Sequence, residues 1–436
     1  MVLRIKILTA VLMLTMGSTV MAQNPWSKIN TPVDERLEEV FFLDSLRGWV
    51  IGDSGVIMYT STGGNSWVLQ ESGVNYGLID VFFLNDTLGW ALAWKIVGSG
   101  GPYGTVMLKT TNGGVNWSNQ MYPEDDVYFN TIYFYDLQNG WIGGYPGRLL
   151  YTTDGGDKWI DAYVDSSFTA NFPVIKFDFY NRDNGLGCGG IIDVAGVIWK
   201  TTNGGFNWSS EAVGPEPVQD IHYFDSLNII GVGGDYEYGS GVVRSDDGGR
   251  SWNYTSLNVF GIAGAISFRK PLEGWAPLGF AQLMLYTTDG GNNWTNIPTP
   301  DSSVIYDLQF TDTAHGYACG ENGTVLKYHY TNVGINNPYT ELPLNYTLFQ
   351  NYPNPFNPVT VISYDLRNNA YVTLKVYDIN GREIKSNNNG FKTAGEHFIN
   401  FNADGLASGI YYYNLTITPV NGSEVISETK KMVLVK

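Results

Sequence analysis

Apolar and polar positions alternate through most of the chain in short runs bounded by glycine-rich turns, the pattern of half-buried strands. The runs come in sets of four. A set opens on a strand ending in Phe or Tyr. It passes a short turn to Gly-Trp or a relative, continues through a third strand, and closes with Gly-Gly-x-x-Trp leading into a fourth. In the first set the expected strands are 38–43, 48–53, 56–61 and 66–70. The closing turn is clearest as Tyr-Thr-Thr-Asp-Gly-Gly-Asp-Lys-Trp at 151–159, and related copies end at Trp67, Trp117, Trp208, Trp252 and Trp294. The Trp-to-Trp spacings are 50, 42, 49, 44 and 42 residues. The second element recurs at Gly48-Trp49, Gly89-Trp90, Gly140-Trp141, Gly185-Leu186, Ile229-Ile230, Gly274-Trp275 and Gly316-Tyr317. Seven sets of four antiparallel strands predict an all-β, seven-bladed propeller, whose radial packing buries both faces of each sheet.

The seventh set runs Gly-Glu-Asn-Gly-Thr-Val-Leu-Lys-Tyr-His-Tyr after Ala318-Cys319 and lacks the closing Gly-Gly-x-x-Trp. At the other end of the propeller region, Trp26-Ser27-Lys28-Ile29-Asn30-Thr31-Pro32 matches Trp294-Thr295-Asn296-Ile297-Pro298-Thr299-Pro300, and Trp26 stands 41 residues before Trp67. Residues 25–31 are therefore expected to supply the outer strand of the seventh blade and close the ring.

Beyond residue 340 the pattern changes. Phe349-Gln350-Asn351-Tyr352-Pro353-Asn354-Pro355-Phe356-Asn357-Pro358 excludes helix and regular central strand. Alternating segments follow at Val359–Leu366, Tyr371–Tyr377, Glu396–Phe401, Gly409–Thr416 and Lys431–Val435, with a hairpin signal at Asp378-Ile379-Asn380-Gly381. They predict a small Ig-like antiparallel β-sandwich. At the start, Arg4 and Lys6 precede an apolar stretch from Ile7 to Val20, and Val20-Met21-Ala22 offers a cleavage site before Gln23. The expected plan is a signal peptide at 1–22, the propeller at 23–331, a linker at 332–348 and the C-terminal domain at 349–436.

Composition narrows the function. With 43% hydrophobic and 14% aromatic residues, the 436-residue chain is not disordered. Its net charge of −17 opposes nucleic-acid binding, which needs a basic footprint. The charge is uneven: residues 23–341 hold 15 basic and 35 acidic groups, whereas 342–436 hold 8 and 7. All 13 tryptophans lie at or before Trp294, which again sets a boundary near 340. Cys188 and Cys319 fall at equivalent points of the fourth and seventh sets, nearly opposite each other in the ring. They are expected to stay separate thiols, because a disulfide needs Cα atoms within about 7 Å.

The closing turns resemble the Asp-box of bacterial neuraminidase repeats, and the full pattern is most similar to the photosystem II assembly-factor family. That resemblance implies a seven-bladed propeller. Within it, Asp154, Asp247 and Asp289 stabilise the turns, with Asn112, Asn203 and Thr62 in their place elsewhere, and Trp67, Trp117, Trp159, Trp208, Trp252 and Trp294 mark the fourth strands. The C-terminal region closely resembles the type A sorting domain of the type IX secretion system. The matching residues include Tyr352, Pro353, Asn354, Pro355, Phe356, the run from Val372 to Gly381, Ala407-Ser408-Gly409-Ile410-Tyr411 and the closing Lys431 to Lys436. This resemblance implies the type IX machinery as a partner, passage across both membranes, and a secreted or surface-attached product from which the tail is removed.

Strand alternation assigns loops to faces. The first-to-second and third-to-fourth turns share one side of the disc. The second-to-third loops and blade connections share the other, where irregular loops suited to binding gather. The candidate ligand residues there are Trp94, Tyr103, Tyr122, Asp125, Asp126, Tyr128, Asp235, Tyr236 and Tyr238. Aromatics beside carboxylates suit sugar stacking or the docking of cationic peptides. The reading is a non-catalytic protein- or glycan-binding module, with no cofactor and no assigned metal or catalytic residue. The alternative is a glycoside hydrolase using paired carboxylates on this face. A sialidase is disfavoured, because Phe268-Arg269-Lys270-Pro271 falls in a first turn on the Asp-box side. Glu124-Asp125-Asp126 offers oxygen ligands for calcium but lacks EF-hand spacing.

Overall fold

A computed structural model describes residues 24–96, 103–165, 168–329, 346–351, 354–392, 395–403, 405–420 and 425–435. The expected signal peptide lies outside them, as do Tyr352, Pro353 and Lys436. Residues 24–329 form seven sheets, each built on four antiparallel strands. The first sheet comprises Leu37–Phe42, Gly48–Gly52, Val56–Thr60 and Val68–Glu71, within two residues of the expected limits. Trp26–Ile29 pairs antiparallel with Val325–Tyr328, Trp26 opposite Tyr328, and completes the seventh sheet. The Trp26 indole packs there edge-on against Trp275, Phe310 and Tyr328. The ring is thus closed by a strand from the beginning of the propeller, as its sequence match predicts.

The repeated motifs are explained by contacts between blades. Trp49, Trp90, Trp141 and Tyr317 each stack on the last Phe of a neighbouring first strand: Phe83, Phe134, Phe179 and Phe42, with centroids 3.5, 3.6, 4.1 and 3.7 Å apart. The glycine before each aromatic lies over the Phe of its own blade: a Cβ at Gly48 would stand 2.3 Å from the Phe42 ring. Gly204 and Gly205 have φ of 72° and 76°, the left-handed region where side chains are strained. A Cβ on Gly205 would also meet the Trp141 indole nitrogen at 1.9 Å, while that nitrogen donates to the Gly204 carbonyl at 3.1 Å. The Gly-Trp of one blade and the Gly-Gly of the next therefore fit together as one joint.

Side chains of the first strands tie all seven junctions. Glu39 Oε2 accepts from Val81 N (3.0 Å), Asp80 Oδ2 from Ile132 N (2.6 Å) and Asp178 Oδ2 from Tyr223 N (2.9 Å). Asp220 Oδ2 accepts from Ile266 N (2.8 Å), Ser267 Oγ from Phe310 N (3.0 Å) and Asp307 Oδ2 from Val40 N (2.9 Å). At the remaining junction Asn130 Nδ2 donates to the Val174 carbonyl at 2.6 Å. Both cysteines are free and buried in their second strands. One element is unforeseen: after the short outer strand Ile160–Asp161, Tyr163–Val164 adds a parallel fifth strand beside Asn207–Trp208.

The C-terminal region forms two sheets around one apolar core that includes Ile362, Tyr364, Leu374, Val376 and Tyr413. Two details differ from expectation. Thr347–Leu348, expected in the linker, pairs with Tyr364–Asp365 and belongs to the first sheet. Glu383–Lys392 is a full strand beside Ala370–Tyr377, although its asparagines disfavour strand in isolation. Pairing to a buried neighbour overrides that propensity. The proline-rich motif holds the last strand: Asn354 Oδ1 accepts from Val433 N (2.8 Å), Phe356 N donates to the Val433 carbonyl (2.9 Å), and Val435 N donates to the Phe356 carbonyl (3.0 Å). Gly381 has φ of 77° in the hairpin turn, and Gly409 opens the long strand Gly409–Pro419.

Candidate functional site

The Asp-box turns are closed systems. Asp154 Oδ1 accepts from Lys158 N and Thr152 Oγ1 (2.9 and 2.8 Å), and Thr152 Oγ1 accepts from Gly156 N (3.0 Å). Asp247 and Asp289 repeat this with Ser251 and Asn293, whose amides and side chains both donate to the carboxylate. These hydrogen bonds hold all three carboxyls below their usual range. Asn112, Asn203 and Thr62 accept the equivalent amides of Asn116, Asn207 and Ser66. The box carboxylates have their acceptor capacity directed inward.

The opposite face is arranged around the channel. All seven first strands carry a β-bulge that skips one residue and re-aims a side chain; in the sixth blade it falls at Arg269, beside the first turn, and in the other six it falls near the strand start. The residues skipped near the strand starts are Glu38, Ile79, Asn130, Ile175, Gln219 and Tyr306, and all six line one cavity of about 820 Å³ at the channel mouth. The residue after each of these points to the blade junction or the channel centre, which is how Glu39, Asp80, Lys176, Asp220 and Asp307 come together.

Lys176 crosses from the fourth blade to the first and second. Its ammonium pairs with Glu39 and, at 3.4 Å, with Asp80. Burial works against that charge, but Asp80 and Glu39 outweigh it and hold the ammonium well above its usual range. The side chain keeps 31% of its surface open to the channel, so solvent moderates the burial. Glu39 and Asp307 are pushed up, first by burial and then by neighbouring carboxylates in the case of Glu39. Burial raises Asp220 to about 7 and Asp178 to about 6.

An arc of aromatic rings from three blades borders the same cavity. Phe260 and Tyr236 have centroids 5.6 Å apart, Tyr236 and Phe280 6.1 Å, and Phe280 and Tyr306 5.8 Å. The Arg36 guanidinium lies over Tyr306 at 4.2 Å and pairs with Glu38 at 2.8 Å. Tyr236, Phe260 and Phe280 retain 40%, 59% and 56% exposure, unusual for large apolar rings set side by side.

Among the nine expected ligand residues, Tyr236 lines this cavity. Trp94 instead ends a second strand, donates through Nε1 to the Phe129 carbonyl at 2.7 Å, and meets Tyr128 edge-on. Tyr122 is buried against Phe129, with Glu124 and Arg148 at its hydroxyl. Glu124, a calcium candidate by sequence, pairs with Arg148 at 2.8 Å. Asp126 N donates to the Tyr103 carbonyl and so closes its own loop, while Asp125 is exposed beside it. Asp235 is buried and accepts from Tyr238 N (2.6 Å) and Gly239 N (3.3 Å); Tyr238 is exposed. Oxygens of Asp193, Asp235 and Glu237 fall within 4.8 Å of one another. Phe260, Phe280, Tyr306, Glu38, Lys176 and Asp220 were not singled out by sequence. A usable signal does exist: the paired polar residues Glu38-Glu39 and Gln219-Asp220 break strand alternation where the bulge lies. Arg269 lies at the other face, paired with Glu273 and donating to the Thr313 carbonyl at 2.6 Å.

Comparison with known proteins agrees with this architecture. Residues 18–118 and 74–222 match the family described as photosynthesis system II assembly factor YCF48, and residues 350–434 match the secretion system C-terminal sorting domain. The fold is an Asp-box β-propeller similar to the assembly-factor family, followed by a match to the type IX sorting domain. Among individual relatives, photosystem II assembly lipoprotein Ycf48 of Synechococcus sp. (strain CC9902) is 24% identical over 259 residues, spanning 58% of this chain and 72% of the relative. The chloroplastic photosystem II stability/assembly factor HCF136 of Arabidopsis thaliana is 23% identical over 291 residues, spanning 51% and 70%. Two solved structures share the fold: YCF48 bound to D1 peptide (20% identity, TM-score 0.56, 71% of this chain and 98% of that one) and YCF48 from Cyanidioschyzon merolae (19%, 0.57, 71% and 99%). The sorting domain marks the chain for type IX secretion and attachment at the cell surface. Among the described residues no helix is long and apolar enough to cross a membrane.

Proposed function

We propose that the mature chain begins at Gln23 and acts outside the cell as a non-catalytic binding module, taking an extended segment of another polypeptide at the channel mouth. The observation that carries this is the 820 Å³ cavity, walled by bulge residues and roofed on one side by the aromatic arc. Two features support binding over glycoside hydrolysis. Glu39, Asp80, Asp220 and Asp307 each already accept an amide from the next blade, and Lys176 occupies the space between two of them. The solved structure of YCF48 bound to D1 peptide, which shares this fold, favours a peptide over a glycan as the ligand class. The photosynthetic setting does not transfer, because the sorting domain directs this chain to the cell surface.

The test is to present the purified propeller with a random-peptide array and a polysaccharide panel. Peptide binding that disappears with Phe280→Ala supports the proposal. Polysaccharide turnover abolished by Glu38→Gln, without peptide binding, replaces it with the hydrolase reading.

A further inference from the structure

The cavity carries an imbalance that its internal ion pairs leave in place. Arg36 is matched by Glu38, and Lys176 by Glu39 and Asp80. Asp220 and Asp307 make no ion pair among the described residues. Asp220 accepts only backbone amides, from Ile266 at 2.8 Å and Ile221 at 2.8 Å, and Asp307 accepts the amide of Val40 at 2.9 Å. Each carboxylate thus sits at the cavity wall with acceptor positions beyond those amides.

The aromatic arc supplies an independent observation. Its last ring, Tyr306, already seats a guanidinium face-on, that of Arg36 at 4.2 Å with carboxylate support from Glu38. The protein thereby displays, at one end of the arc, the environment in which it holds a cation: an aromatic face with a carboxylate beside it. The next two rings, Phe280 and Tyr236, offer the same kind of face and remain open to the cavity. They line the same cavity as Asp220 and Asp307. An aromatic face attracts a cation through its quadrupole, most strongly where water is partly excluded.

We propose that the channel mouth recognises its polypeptide segment through a lysine or arginine side chain, which crosses Tyr236 and Phe280 toward Asp220 and Asp307 while apolar neighbours in the segment cover the rest of the arc. This rests on the peptide-binding reading above and specifies the chemistry of the partner. A sugar would use the same rings for stacking but would gain little from two carboxyl groups that lack a direct ion pair and that an arriving cation would help to ionise, so the basic peptide is the better fit. The aliphatic stems of Lys and Arg suit the approach, since they pack on apolar rings while the charged end reaches a polar partner.

The experiment uses the full chain without its expected signal peptide, probed by a positional-scanning hexapeptide array and then by fluorescence anisotropy of the selected peptides. Each peptide is paired with versions carrying N-acetyl-lysine or glutamate at the basic position. The expected result is affinity about tenfold higher for Lys or Arg than for N-acetyl-lysine, a preference that shrinks between about 0.05 and 0.3 M salt. Phe280→Ala and Tyr236→Ala should each weaken binding about three- to tenfold with an unchanged melting temperature. Asp220→Asn, which keeps an acceptor for the Ile266 amide, should erase most of the preference. Equal or tighter binding of acetylated or glutamate peptides, still lost with Phe280→Ala, would overturn the charge selectivity while leaving peptide binding intact. Failure of every peptide alongside binding of a glycan would overturn the peptide reading itself.

Discussion

On one face of the propeller, Asp154, Asp247 and Asp289 direct their carboxylates to amides four residues away in their own turns. On the other, Glu39, Asp80 and Asp220 reach amides 42, 52 and 46 residues away in the next blade, and Asp307 closes the circle to Val40. The two environments drive the same functional group in opposite directions. Exposed turn carboxylates, stabilised by several donors, ionise more readily than usual; channel carboxylates, crowded and desolvated, ionise less readily. A repeat protein can therefore use one face to hold its shape and keep the other free to vary, because the two sets of loops draw on different hydrogen bonds.

The comparison is broken most severely by opening the ring. Deleting residues 23–33 removes the strand Trp26–Ile29 and its aromatic cluster, and should collapse both faces together. Trp26→Ala alone is expected to cost about 3–5 kcal/mol, as for other buried tryptophans. Thermal unfolding checks this, and an unchanged melting temperature after the deletion would refute closure. The next effect in size separates the faces. Thr152→Val removes the buried hydroxyl that accepts the Gly156 amide, and should cost about 1–3 kcal/mol with no change in ligand binding at the channel mouth. Conversely, Tyr236→Ala should weaken peptide binding by about 1 kcal/mol while leaving the unfolding temperature in place. Calorimetry on both variants tests the separation, and a shared loss of stability and binding in either would contradict it.

A pH dependence of opposite sign on the two faces is also expected. Asp178 and Asp220 are raised to about 6 and about 7 in the folded state, against about 3.9 unfolded. The fold holds their protons longer than the unfolded chain does. Their contribution is fully present below about pH 4 and is lost as pH rises through those folded values. The turn carboxyls are lowered, so their contribution is present above about pH 4 and is lost as pH falls through their depressed values. The unfolding temperature should thus decline from pH 5 to pH 8, and Asp178→Asn should flatten that slope. A rising profile over the same interval would show that the channel carboxylates are not held protonated.

Much of the architecture was legible because it is local and repeated. The Gly-Gly turn, the Gly-Trp pair and the Phe before them recur at nearly constant spacing, and each satisfies its backbone or covers its own ring within one unit or the next. Trp26 could be matched to Trp294 for the same reason. The strand Glu383–Lys392 escaped notice because a neighbour, not its own residues, makes it a strand. The candidate site was legible in part: strand alternation puts the second-to-third loops and blade entries on one face, and the cavity is lined by residues of both. Its residues were mostly not. Trp94 and Tyr122 stand out in sequence as aromatics in irregular loops, yet their polar atoms are used in holding those loops.

By itself the sequence determined the repeat, its count, the strand that closes the ring and the sorting domain that directs the chain outward. These follow from hydrophobic period and turn chemistry, which act over a few residues. The tertiary structure alone decided that Phe260, Tyr236, Phe280 and Tyr306 form one arc and that Lys176 stands among carboxylates from other blades. Those residues occupy different positions in their repeats and are separated by up to 137 residues for the Lys176–Glu39 pair. Only closure of the ring, with a bulge turning one side chain of most first strands toward the mouth, brings them to a common cavity.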